Sequence, residues 1–400
     1  MNLLFVAYSD LDNNGGIHVF NLANRLADLG HEVGVCVPAR PEATLRVGRP
    51  KFRTLLQKDV VAQGWRFADG RGPDLVHAWT PREVVREGTE RIAASSGAPY
   101  FVHLEDNEAH LLEASVGRPY VSLHRMNVAE LDGPVPPHLT HPHRGRAFLA
   151  GAAGVSALVD ELLVFKPEAT PGCVIWPAYD PDLPWGEPAD PSLRRSLGIR
   201  DDEYVIAYTG NAHPANSREV ASVYIAVALL NRLGLPTRLV RTGNNHAPLF
   251  DRDAEREIGR HCVELGFAPR AEIPRILSLA DALVQPGRRG QFNDYRFPSK
   301  LPEYFASGKP VLLPDTNVGR HLVDGRDCVL LRHGHAQEIA LALSRLLPDR
   351  EWRERLGRAA RGLAETRFSW GRSAERLARF YADVLGDHGT GEARREREVA

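Results

Sequence analysis

Short apolar runs alternate along this chain with longer stretches whose apolar residues recur every three or four positions. The runs predict strands at 2–7, 32–37, 74–78, 100–104 and 173–176. After a break they resume at 204–209, 237–242, 262–265, 282–285, 310–313 and 328–331. Strand-length runs alternating with helical periodicity are the pattern of parallel sheets built from βαβ units. Between the first two runs, Val19, Leu22, Ala23, Leu26 and Leu29 share one helical face, and Gly30 supplies a stop. The break holds Pro177, Pro181, Pro184, Pro188 and Pro191. Proline propagates neither a helix nor a central strand, so this segment reads as a linker. Beyond it, helices are predicted to begin near 216, 252, 271, 300 and 335, the first capped by Asn216. Two helices, 349–366 and 370–385, close the pattern, and the charge-dense 387–400 is expected to be disordered. The stretch 116–146 shows no period and carries Arg118, His124, Arg125, His138, His141, His143, Arg144 and Arg146. A long irregular insertion of that kind is either disordered or functional.

Composition narrows the class. Four hundred residues, 43% hydrophobic and 25% charged, suit a soluble globular chain of two or three domains. A net charge of −1 gives no bulk attraction for nucleic acid, which is excluded as an expected partner. Cys36, Cys173, Cys262 and Cys328 are scattered, which fits a reducing cytoplasm. The first apolar run lacks a basic lead and has strand length, and no other run approaches a membrane span.

Chemistry concentrates in Phe297-Pro-Ser-Lys-Leu-Pro-Glu-Tyr-Phe-Ala-Ser-Gly-Lys-Pro-Val-Leu-Leu313. Lys300 and Glu303 stand one turn apart at a helix start, where backbone N–H groups attract anions. A cation beside a hydroxyl-binding carboxylate suits a ligand with phosphate and ribose. The chain has five lysines, and two of them, Lys300 and Lys309, flank Glu303. Gly15-Gly16 follows the first strand and Gly210-Asn211 follows the first strand of the second half, each ahead of a helix. Glycine there lets backbone approach a ligand, and Arg218 in the next helical turn is placed to neutralise phosphate. Phe101-Val-His-Leu-Glu-Asp-Asn-Glu108 places His103, Glu105, Asp106 and Glu108 at or just beyond a strand's carboxyl end, where open α/β sheets face their ligands. His103, Asp106 and His110 also form a generic metal pattern. Asp180-Pro-Asp182 and Asp251-Arg-Asp253 read as turn and cap residues.

The 297–313 segment resembles the donor-site signature of retaining glycosyltransferases of family 4, and "GGI…NLANRLADLGHEV" is similar to their first loop and helix. The resemblance runs from residue 2 to about 385. It implies an α/β, GT-B architecture: two doubly wound, Rossmann-like parallel-sheet domains facing a central cleft. The expected partition is an acceptor domain 1–180, a linker 181–194, a donor domain 195–368 and a helix 369–386 crossing back to the first domain. The implied reaction is metal-independent transfer of a sugar from a nucleotide-diphosphate donor to an acceptor hydroxyl, with retention and with no cofactor. His103 and Lys300 are the implied catalytic groups. Gly15, Gly16, Gly210, Asn211, Arg218, Lys300, Leu301 and Glu303 would hold the donor, and His103, Glu105 and Asp106 the acceptor, which is a glycan, a lipid-linked molecule or a small molecule. Arg241 and Arg288 compete with Arg218 and Lys300 for the diphosphate. The family's E-x7-E pair is incomplete, because eight residues before Glu303 stands Tyr295, with Asp294 beside it. The same architecture would serve a sugar-nucleotide epimerase, a phosphorylase or a pseudo-glycosyltransferase, and the Tyr295 departure keeps open a non-catalytic nucleotide-sugar or glycan binder. The basic 116–146 segment is an expected contact for an anionic acceptor or for the inner membrane face.

Overall fold

Strands β1 (Asn2–Ala7), β2 (Glu32–Val37), β3 (Arg53–Leu56), β4 (Leu75–Trp79), β5 (Tyr100–Leu104), β6 (Gly154–Ala157) and β7 (Gly172–Val174) form a seven-stranded sheet ordered β3-β2-β1-β4-β5-β6-β7. Strands β8 (Tyr204–Thr209), β9 (Thr237–Thr242), β10 (Cys262–Glu264), β11 (Ala282–Val284), β12 (Val311–Pro314) and β13 (Val329–Leu331) form a six-stranded sheet ordered β10-β9-β8-β11-β12-β13. Their pairings are parallel. Strand order reverses between β1 and β4 in the first sheet and between β8 and β11 in the second. Such switch points are where open α/β sheets leave a crevice at the strands' carboxyl ends.

This computed structural model describes residues 1–398 and divides them into two compact units. Unit 1 holds Met1–Pro177, Tyr295–Phe297 and the chain from Trp370 onward; unit 2 holds Ala178–Asp294 and Pro298–Ser369. In unit 1, Leu3, Leu4, Phe5 and Val6 of β1 are buried on both faces of the sheet, as continuous apolar strands of parallel sheets are. In unit 2, the helix Ser217–Arg232 packs Val223, Val227 and Leu230 against Ile206, Leu239 and Leu343.

Four details depart from the sequence reading. Strands β3 and β6 were not expected: β3 is a short edge strand opening on Arg53, and β6 is Gly-Val-Ser-Ala, too small in side chain to register as an apolar run. The 116–146 stretch is helical, with Tyr120–Arg125, Val128–Leu131 and the start of Pro142–Ala150. Leu112, Leu123, Leu131, Val135 and Leu139 give it a small core of its own. The last helix runs Trp370–Glu398, so the tail expected to be disordered begins inside it; residues 399 and 400 lie outside the described residues. Asn216 occupies the N-cap position but caps nothing: its amide turns back to the His213 N–H at 2.7 Å and the Asn211 carbonyl at 3.2 Å. No helix among the described residues is long and apolar enough to cross a membrane.

Candidate functional site

In unit 2 the fold brings Gly210, Lys300 and Glu303 together. Tyr304, fully buried, accepts the Thr209 N–H on its hydroxyl at 2.8 Å and so pins the end of β8. Gly210 follows with φ +146°, and a Cβ there would lie 3.0 Å from Lys300 Cε and 3.2 Å from Nζ. The conformation favours glycine, and a side chain there would have to displace the end of Lys300. The Lys300 ammonium sits 5.1 Å from the centroid of the Tyr208 ring. Gly243, at φ +100°, presses against Gly210 from the other side; a Cβ on it would meet the Gly210 carbonyl carbon at 2.4 Å.

Backbone donors in this loop are largely spent. Gly210 N–H bonds the Thr242 carbonyl at 3.0 Å and Leu301 N–H bonds the Pro298 carbonyl at 3.0 Å. The Asn211 side chain accepts from the Asn244 N–H at 2.8 Å. These residues shape the loop and supply space. Leu301 is wholly buried. Of the arginines, Arg241 is also wholly buried and holds Asn245 at 2.7 Å, the Tyr224 hydroxyl at 3.1 Å and the Gly210 carbonyl at 3.2 Å. It is committed to the loop's interior. Arg218 and Arg288 are exposed. Lys300 is therefore the cation set against the glycine turn.

Glu303 has Arg270 as its neighbour, Nε to carboxylate 4.0 Å. Burial raises its pKa above the ordinary carboxylate range, against the opposing charges of Arg270 and Lys300. Asp294, the alternative first acid, accepts from the Thr316 hydroxyl. Tyr295 belongs to unit 1, with its ring 5.3 Å from that of Phe165.

In unit 1 the carboxyl ends of β1, β4 and β5 build a charged cluster. Gly16 N–H is bonded to the Asn13 side chain at 2.9 Å, and a Cβ on Gly16 would lie 2.4 Å from Leu11 Cα. A Cβ on Gly15 would meet the Tyr8 hydroxyl at 2.5 Å and Glu105 Oε2 at 2.8 Å. Gly16 is thus demanded by the Leu11 backbone, whereas Gly15 leaves room for the side-chain ends of Tyr8 and Glu105. Glu105 is buried and receives Trp79 Nε1 at 2.9 Å, with His18 Nδ1 at 3.1 Å. Burial would raise its pKa, but His18, Trp79 and Arg82 outweigh that and hold it below the ordinary value.

Arg82 lies 4.4 Å above the Tyr8 ring and bonds Glu108 at 3.1 Å and Asp106 at 3.2 Å. Crowding by neighbouring atoms pushes Asp106 up to about 6, with Arg82 pulling it down and Glu108 and Glu105 pushing it up. Its side chain keeps 41% exposure, so water screens part of that shift. His103 is wholly buried, stacked on Trp79 with centroids 3.8 Å apart, and bonded through Nδ1 to Ser156 Oγ at 2.7 Å. Burial, then His77 and His18, keeps it neutral. Thr80, between Trp79 and Arg82, is buried at φ +89°, a strained conformation for a β-branched residue and one that clusters at functional sites.

Tyr8, His18, Trp79, Arg82, Arg270 and Tyr304 were not singled out from the sequence. The strand-end rule that found His103 would have found Trp79 and Arg82. The metal pattern His103, Asp106 and His110 is not assembled, since His103 is tied to Ser156 and Asp106 to Arg82. Asp251 caps the helix Arg252–Gly259, and Asp180 closes a turn onto the Asp182 N–H.

Residues 190–363 match the family model of Glycosyl transferases group 1. The Alpha-D-kanosaminyltransferase of Streptomyces kanamyceticus is 27% identical over 198 residues, 48% of each chain. The D-inositol 3-phosphate glycosyltransferase of Corynebacterium aurimucosum is 30% identical over 224 residues, 53% of this chain and 51% of that one. The matches therefore span about half the length of these curated relatives. The structure of Anabaena HepE in complex with UDP and glucose superposes with a TM-score of 0.66 at 16% identity, covering 96% of this chain and 99% of that one. At that identity the likeness is one of fold. The chain thus combines a segment, 190–363, that matches Glycosyl transferases group 1 with two parallel-sheet units that share the fold of HepE.

Proposed function

We propose that the chain is a retaining, metal-independent glycosyltransferase that moves a hexose from a nucleotide-diphosphate donor to an acceptor hydroxyl. The reading rests on Lys300 lying on Gly210, with Glu303 one turn further on, inside the segment that matches the family. Breaking the glycosidic bond leaves negative charge on the β-phosphate. A pre-placed ammonium at a glycine turn stabilises that charge without rearrangement. Glu303 binds the ribose hydroxyls, with Arg270 and Lys300 opposing the upward pull of burial on its carboxyl. Unit 2 carries the donor; unit 1, through Glu105, Asp106 and His103, carries the acceptor. HepE was captured with UDP and UDP-glucose, which makes uridine the first base to try.

The test is thermal unfolding with UDP, GDP, ADP and TDP, each with magnesium and with EDTA. A ligand at a hundred times its dissociation constant stabilises by about 2.7 kcal/mol. One diphosphate raising the midpoint equally in EDTA is the expected result. No shift with any of them, or a shift that Lys300→Ala leaves intact, rejects the assignment. Donor turnover that disappears in Glu303→Ala separates an enzyme from a binder, and release of a sugar epimer without acceptor would replace transfer by epimerisation.

A further inference from the structure

A buried polar chain in unit 1 runs from the closing helix to His103. Tyr381, on the helix Trp370–Glu398, is hydrogen-bonded through its hydroxyl to His77 Nδ1. His77 Nε2 lies 3.1 Å from Ser156 Oγ, and Ser156 Oγ lies 2.7 Å from His103 Nδ1. All four side chains are buried, none more than 1% exposed. His103 Nε2, beneath its Trp79 stack, has no protein hydrogen-bond partner among the described residues.

Counting hydrogens decides which way this chain runs. Burial keeps both imidazoles neutral and the phenol protonated, so each of the four groups carries one mobile hydrogen. Among the described residues the Tyr381 hydroxyl has one partner, His77 Nδ1. Its hydrogen is satisfied if it donates there. His77 must then carry its own hydrogen on Nε2 and donate to Ser156. Ser156 in turn donates to His103 Nδ1, which leaves the His103 hydrogen on Nε2. The opposite polarity strands the Tyr381 hydrogen and the His103 Nε2 lone pair together, two unmet groups in place of one. A buried donor or acceptor without a partner is the costly outcome, so the first polarity wins.

We propose that Tyr381, His77 and Ser156 are positioning residues that fix His103 as its Nε2–H tautomer, holding one N–H donor in reserve for a substrate oxygen. Binding such an oxygen converts an unsatisfied donor into a bonded one, which favours a hydroxyl-bearing ligand over an apolar one. The use of that donor in transfer rests on the function proposed above; the tautomer itself does not.

The experiment is a long-range ¹H–¹⁵N spectrum of protein labelled in its histidine rings, without donor, with His103 assigned by its disappearance in His103→Gln. The wild type is expected to show a protonated Nε2 and a bare Nδ1 at His103. Tyr381→Phe and Ser156→Ala should each move both nitrogens toward the average of the two tautomers. Each should also lower kcat by roughly three- to tenfold at unchanged donor KM, the scale of one hydrogen bond. A hydrogen on Nδ1 in the wild type overturns the proposal even if neither variant folds, and so does a His103 signal that neither variant moves. A mixed tautomer with unaltered kcat overturns the reserved-donor role. Absence of transferase activity with the expected spectrum refutes the function and leaves the tautomer standing.

Discussion

Replacing Tyr304 by phenylalanine removes one oxygen from the middle of unit 2 and almost nothing else. The ring stays buried, so its apolar contribution changes little. What changes is the Thr209 N–H, which loses its acceptor at 2.8 Å in a place water does not reach. A buried donor left unmet costs roughly 1–3 kcal/mol. For a domain of this size each kcal/mol lowers the midpoint by about 2–4 °C, so the unit 2 transition should fall by about 2–12 °C. Thr209 precedes Gly210, so a loosened strand end should also shrink the stabilisation that UDP confers. The control is Thr209→Val, which keeps the backbone bond and removes a hydroxyl 3.5 Å from the phenol, too far for a good hydrogen bond. It should cost less than Tyr304→Phe. The assay is thermal unfolding of all three proteins with and without UDP. A Tyr304→Phe midpoint within about 1 °C of wild type would refute the reasoning, as would equal losses in the two variants.

Gly16→Ala should destabilise unit 1 by about 1–3 kcal/mol, because its Cβ meets the backbone of Leu11. Gly15→Ala meets movable side chains, Tyr8 and Glu105, and should instead raise acceptor KM; calorimetry and kinetics on the pair distinguish them. Burial pushes Asp106 up to about 6 before water screens part of the shift, so its charge disfavours folding most above about pH 6 and that penalty fades as pH falls toward 3.8. Asp106→Asn should therefore gain relative stability at pH 7–8 and lose the gain below pH 4; acceptor KM in the wild type should fall as pH rises through about 6, and the variant should flatten that profile. Glu303→Gln should reduce discrimination between UDP and its 2′-deoxy analogue toward unity, measured by midpoint shift. Arg118, Val121, Arg125, Val128 and Arg146 are exposed on the helical insertion, and co-sedimentation with anionic liposomes at low salt, lost at high salt, is expected. No binding at low salt would remove a membrane role.

The sheets were legible because most core strands are short, mainly apolar runs, as burial on both faces requires; β9 carries Arg238 and Arg241 and was still marked by its Leu-Val centre. Strand β6 was not, since Gly154 and Ser156 are small for reasons outside the strand: a Cβ on Gly154 would meet Phe380 and Phe101, and Ser156 serves two histidines. The 116–146 helices hid behind their charge, although Asn127 and Glu130 spell a capping box. Within the site, residue type was readable and assignment was not. Gly16, Gly210 and Leu301 were picked as donor contacts, but their N–H groups bond within the chain. Lys300 and Arg241 are equally cationic in sequence; only packing shows one laid on the glycine turn and the other sealed beneath it.

The closing helix has a consequence for the order in which the chain is made. His77 and Tyr381 are 304 residues apart, and Ser373 bonds the Trp176 carbonyl across 197. All of unit 2 lies between those partners. A ribosome therefore releases everything unit 2 needs before it releases the last helix of unit 1. The half that is synthesised first finishes last, and until then His77 lacks its tyrosine and the helix at Asn14–Asp28 lacks the partner it packs on. Truncation at the far end of the gene should thus be felt at the front of the protein.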